Sequence, residues 1–173
     1  GRKLRALPLA PRLARMIIAS AEIGAAREAA LIAAVLSERG AGGLSLDLEE
    51  RLQRLERERG PRAESLTRMA RAWARTAEGA RGTRDNAATA ATSTAALLAL
   101  AFPDRIAKAR GPRGTFLLAN GRAGVVDAAS PLADAPFLVV AEMTGVAAAS
   151  RIMLATRLDE RELEDIAGTR IET

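Results

Sequence analysis

The sequence predicts an α+β chain, helical in its first half and antiparallel β in its second, on three observations. Up to about residue 102, apolar side chains recur at the i, i+3, i+4 spacing of helices that bury one face. Beyond it come short β-prone runs separated by turn signals, the clearest being Asn120-Gly121. Between the halves, residues 79–92 (GARGTRDNAATAAT) lose that period and gather Gly, Thr, Asp and Asn, the composition of a linker. The expected division is therefore 1–78, a linker at 79–92, and 93–173.

The first half resolves into four helices. Ala6-Leu7-Pro8-Leu9-Ala10-Pro11 is a stiff extended entry, because each proline fixes its own φ and disfavours helix before it. A helix should start at about Pro11, with Leu13, Met16, Ile17 and Ser20 on one face and Gly24 as its left-handed stop. The second, about residues 26 to 38, sets Ala30, Leu31, Ala34 and Val35 together and ends at Gly40-Ala41-Gly42-Gly43. So short a connection makes the pair antiparallel. Asp47 is a suitable N-cap for a third helix carrying Leu48, Leu52 and Leu55 as far as Gly60-Pro61. Its remaining positions, from Glu49 to Arg59, alternate in sign and read as a solvated, salt-bridged surface. A fourth helix, about residues 62 to 77, aligns Leu66, Met69, Ala70, Trp73 and Ala77, which makes Trp73 a core anchor rather than a stacking platform.

The second half opens on a passage from helix to hairpin. Leu97, Leu98, Leu100 and Phe102 form an apolar helix, Pro103 breaks it, and Ile106 resumes the apolar side among Arg105, Lys108 and Arg110. After the loop Gly111-Pro112-Arg113-Gly114, residues 115–119 and 123–127 read as two strands about a type I′ turn at Asn120-Gly121. Ser130-Pro131 and Ala135-Pro136 bracket a further loop, 137–143 and 151–156 read as strands, and Asp159 caps a short helix with Leu163 and Ile166. Four or more strands of this kind fit a small barrel or a plain antiparallel sheet equally.

Composition narrows the chemistry. Of the 173 residues 49% are hydrophobic but only 2% aromatic, so the cores are aliphatic and stacking surfaces scarce. All but Lys3 and Lys108 of the 26 basic residues are arginine, whose planar fork suits phosphate, and the net charge of +5 favours a polyanion as partner. Without cysteine there is no disulfide framework, and no apolar run approaches the ~20 residues that span a bilayer. Without histidine there is no Ser-His-Asp triad and no usual zinc site, and neither lysine lies in a phosphate-binding loop. Glu49/Glu50, Asp159/Glu160 and Glu162/Glu164/Asp165 read as caps or surface. No catalytic or metal-binding residue is assigned; the chain should bind or position rather than react.

Three stretches carry a family resemblance: ALPLAPRLARMI at 6–17, LLALAFPDRIAKARG at 97–111 and FLLANGRAG at 116–124. Together they resemble the C-terminal region of DEAH-box ATP-dependent helicases of the bacterial HrpB type, and the resemblance extends over most of the chain. It implies a helical helicase-associated, ratchet-like domain over 1–78, beginning at the last residues of a winged helix. Over 93–173 it implies an oligonucleotide/oligosaccharide-binding (OB) barrel with a leading helix. The fold class becomes an N-terminal helical bundle followed by a small antiparallel OB-like barrel. The region so implied is a non-catalytic accessory piece that guides or binds single-stranded RNA or DNA and docks in cis on the motor domains. ATP and Mg would belong to the parent helicase and no cofactor to this piece, with no membrane partner and a cytoplasmic location. Related chains end the hairpin Gly-Arg-Gly-Ala where this one has Gly121-Arg122-Ala123-Gly124. The candidate nucleic-acid residues are Arg105, Lys108, Arg110, Arg113 and Arg122, which should gather on one side of the barrel. The alternative is a protein-interaction or self-association module, in which those charges scatter and only solubilise.

Overall fold

The computed structural model describes residues 6–81, 92–146 and 150–171, without the side chains of 81 and 169–171. Its helices are α1 (Pro11–Glu22), α2 (Ala26–Ser37), α3 (Leu48–Arg57), α4 (Pro61–Arg81), α5 (Thr94–Ala101) and α6 (Glu160–Ile171). Its strands are β1 (Ile106–Ala109), β2 (Thr115–Leu118), β3 (Ala123–Val125), β4 (Phe137–Thr144) and β5 (Ser150–Leu158). Pro11 and Pro61 each open their helix, where a missing N–H costs nothing and a fixed φ is already helical. Because α4 runs on to Arg81, the linker expected over 79–92 begins inside a helix; apart from Thr92, its remainder lies outside the described residues.

The chain divides into two compact units, residues 1–44 with 49–101 and residues 45–48 with 102–173. In the first, α1 packs on α2, and both helices bury small residues, Ala14 on α1 and Ala29, Ala30, Ala33 and Ala34 on α2, with Met16 and Ile17 of α1 buried beside them. Trp73 on α4 is buried, as its place in the apolar stripe predicts. The sequence grouping set α5 with the β-rich half, whereas α5 packs on α1 and α2. The reason lies in its composition, TAALLALA, which is apolar all round and so needs neighbours on several sides. Ala95, Leu97, Leu98, Ala99 and Ala101 are all buried, and Arg12 Nη1 donates to the Ala101 carbonyl at 3.4 Å.

The second unit is a closed five-stranded barrel in the order β1-β2-β3-β5-β4, the OB arrangement. Four of its pairings are antiparallel, but β3 pairs β5 in parallel through Gly124↔Ser150 and Val125↔Arg151, so the sheet is not antiparallel throughout as the sequence suggested. Phe116, Leu118, Leu138, Val140 and Ile152 fill the interior. Gly124 faces the same interior; a Cβ there would lie 3.0 Å from both Cδ1 and Cγ1 of Ile152. Further along β5, Ala155 N–H donates to the Leu46 carbonyl at 2.9 Å, so the segment before α3 adds to the barrel wall and brings Leu46 onto its core.

One turn differs from the reading of the sequence. A type I′ turn needs positive φ at both central residues, yet among the described residues only glycines have positive φ, here Gly121 at 84°. Gly121 N–H donates to Leu118 O and Leu118 N–H to Arg122 O, each at 2.9 Å, which makes a three-residue loop with glycine in its left-handed position. Asn120 instead uses its Oδ1 to accept from Arg122 N–H at 3.0 Å. The asparagine is still a turn residue, but through its side chain.

Candidate nucleic-acid interface

Strand alternation decides what the barrel shows to its surroundings. With Ala107, Phe116 and Ile152 turned inward, Lys108, Leu117, Val125 and Arg151 face outward. The register then sets two rows across the outer surface. One runs Phe137, Lys108, Leu117, Ala123 over β4, β1, β2 and β3. The other runs Arg110, Thr115, Val125, Arg151, Thr144, its first step held by Arg110 N–H donating to Thr115 O at 2.9 Å. Val125 is 47% exposed, and Met153, two residues past Arg151 on the same side of β5, is 36% exposed.

The five basic residues expected from the sequence separate into two groups. Lys108 and Arg110 are exposed on or just beyond β1, and neither side chain makes an ion pair or hydrogen bond among the described residues. Arg113 lies in the β1–β2 loop, paired with Asp134 at 3.1 Å, with both side chains more than half exposed. An exposed pair of this kind contributes about 0.2–1 kcal/mol, little enough for a phosphate to displace the carboxylate. The other two are engaged within the barrel. Arg105 Nη1 donates to the Ala141 carbonyl at 2.6 Å while its guanidinium stacks 4.9 Å from the Phe102 ring centre. Arg122 Nη2 donates to Ser150 Oγ at 2.9 Å, and that hydroxyl donates to Val146 O at 3.1 Å, tying the hairpin to the end of β4.

Arg151 is an outward cation that the sequence reading passed over. Its guanidinium lies 3.8 Å from Asp127 Oδ2, a loose and exposed contact. The strand was legible as a β-prone run, but the burial of Ser150 and Ile152 that turns Arg151 outward appears only in the fold, and its position beside Val125 depends on the parallel pairing, which no local signal announces. Aromatic side chains are scarce here too: Phe137 stands on an outer row and is half-buried. Among the described residues no group of three His, Cys, Asp or Glu side chains could hold a metal, and no helix is long and apolar enough to cross a membrane.

Helices followed by a small closed barrel are the fold that the family resemblance implies, and comparison with known proteins supports that resemblance. The chain is 33% identical over 165 residues to the ATP-dependent RNA helicase HrpB of Escherichia coli K12, covering 94% of its own length and 19% of that protein. The crystal structure of the E. coli DExH-box NTPase HrpB superposes with a TM-score of 0.76 at 30% identity, over 98% of this chain and 20% of that one. A second crystal structure, of the E. coli DEAH/RHA helicase HrpB, gives a TM-score of 0.69 at 29% identity, over 93% and 19%. No protein-family profile matches the chain. The chain is thus the counterpart of the C-terminal region of HrpB-type DEAH-box helicases, and it spans about a fifth of the proteins it matches.

Proposed function

We propose that the chain serves as a non-catalytic accessory region of an HrpB-like, cytoplasmic ATP-dependent RNA helicase. In this reading it binds or guides single-stranded RNA or DNA on its barrel and docks in cis on the motor domains, which supply the ATP and Mg sites. The observation that carries the reading is the outward set Lys108, Arg110 and Arg151, with Arg113 in the adjoining loop. With so few rings to stack on, affinity is mostly electrostatic and insensitive to base sequence.

Each phosphate neutralised on a single strand steepens log affinity against log salt by ~0.7, so four cations give a slope of about −2.8. Replacing Lys108, Arg110 and Arg151 together by Ala should flatten it by about 2, as measured by fluorescence anisotropy with a labelled oligonucleotide. The same number of changes at Arg51, Arg54 and Arg57 on the mixed-charge helix α3 should do much less. Equal flattening by both triple variants would mean that binding follows net charge alone. The rival reading, a self-association module, draws on the exposed Val125 and Met153 of the same face. It predicts a dimer in sedimentation that Val125→Asp dissolves.

A further inference from the structure

The cationic face of the barrel ends at an acidic helix. Residues 159–173 hold six carboxylates against two arginines, in a chain that is otherwise strongly basic. The first turn of α6 is pinned directly after β5 by a capping box: Asp159 N–H donates to Glu162 Oε2 at 2.9 Å, and Glu162 N–H to Asp159 Oδ1 at 2.8 Å. Leu163 then reaches a groove of about 440 Å³ on the outer surface, which Ile106, Leu117 and Phe137 also line and in which Lys108 is the cation. Leu163 and Ile166 are both half-buried. At 100° per residue, Glu160 and Glu162 flank the Leu163–Ile166 side of the helix while Arg161 falls opposite. The edge of the groove beyond Lys108 is therefore anionic.

We propose that α6 is a fence that sets where the bound strand stops. A phosphate track over Arg151, Arg110 and Lys108 meets like charge as soon as it passes Lys108, within the ~8 Å over which exposed charges act at physiological salt. The strand is kept on the row of Arg110, Thr115, Val125 and Arg151 and off the end of the barrel where α6 begins. The helix thereby limits the length of strand the face accepts, a role in selecting the path rather than in adding affinity. The inference rests on the nucleic-acid reading above.

The test neutralises Glu160 and Glu164, both exposed and both outside the capping box. The Glu160→Gln/Glu164→Gln chain and the unchanged chain are titrated with labelled oligouridylates of increasing length. Each carboxylate about 8 Å from a phosphate, screened at physiological salt, costs roughly 1.4-fold in affinity, so the variant should bind about twofold tighter. Its affinity should also go on rising with oligomer length after that of the unchanged chain has levelled off. Glu56→Gln/Glu58→Gln on α3 makes the same change in net charge and should leave the length dependence as it was. Unchanged affinity and plateau in a variant of normal melting temperature would overturn the fence and leave the nucleic-acid face standing, as would equal effects from both double variants. Failure of every protein to bind any oligomer would remove the face itself, and the fence with it.

Discussion

Gly124 is where the barrel is most exposed to a single methyl group. It occupies one of the two positions that join β3 to β5, and a Cβ there would meet Ile152 Cδ1 and Cγ1 at 3.0 Å and Met143 Cε at 3.4 Å. Ile152 is fully buried, so it cannot turn away into solvent. Gly124→Ala gains about 0.5–1 kcal/mol from a stiffer unfolded chain, while overpacking a core of this kind costs typically 1–3 kcal/mol. The net expectation is a loss of about 1 kcal/mol, or a roughly fivefold drop in hydrogen-exchange protection of the β3 and β5 amides. Exchange is the appropriate assay because it reports on those strands separately from the helical unit. Ile152→Ala should itself cost about 2–5 kcal/mol, yet adding Gly124→Ala to it should then be neutral or favourable, because both 3.0 Å contacts are gone. If Gly124→Ala proves harmless alone, or equally costly in either background, the contact with Ile152 is not what makes glycine necessary.

Two further outcomes separate structural cations from binding ones. Arg105→Ala strips the Ala141 carbonyl of its charged donor and Arg122→Ala strips Ser150, so each should cost about 1–3 kcal/mol in urea unfolding while leaving the salt slope of oligonucleotide binding unchanged. A flattened slope at normal stability would put them back on the interface. Asp159→Ala removes one half of the α6 capping box and should cost about 0.5–2 kcal/mol, read as faster exchange at the first turn of α6 with the strands of the barrel unaffected.

What could be read from the chain beforehand was whatever its local pattern determines. The apolar spacing of Leu13, Met16 and Ile17 located α1 and Pro11 marked its start, while Pro61, read only as the end of the helix before it, opens α4. Asp159 and Glu162 announced the cap of α6 three residues apart. What escaped was set by partners distant in sequence. Arg105 looks like a free cation until the Ala141 carbonyl, 36 residues on, is brought to it. Arg122 likewise meets Ser150 only because β3 and β5 close the barrel in parallel. Closure itself left no trace in the strands, which would suit an open sheet as well; the family resemblance, not the periodicity, pointed to the barrel. For α5 the opposite held, since an all-apolar helix states that it is buried without stating by what.

The outer face of the barrel is tested most directly by following its backbone amides in a nitrogen–proton correlation spectrum while a short oligouridylate is added, a practical measurement for a chain of 18.2 kDa. Shift changes should concentrate at Lys108, Arg110, Thr115, Val125 and Arg151, and should spare Arg105, Arg122 and the α6 end of the barrel. Changes spread evenly over the arginines of both units, or confined to α1–α5, would contradict the assignment of this face to nucleic acid.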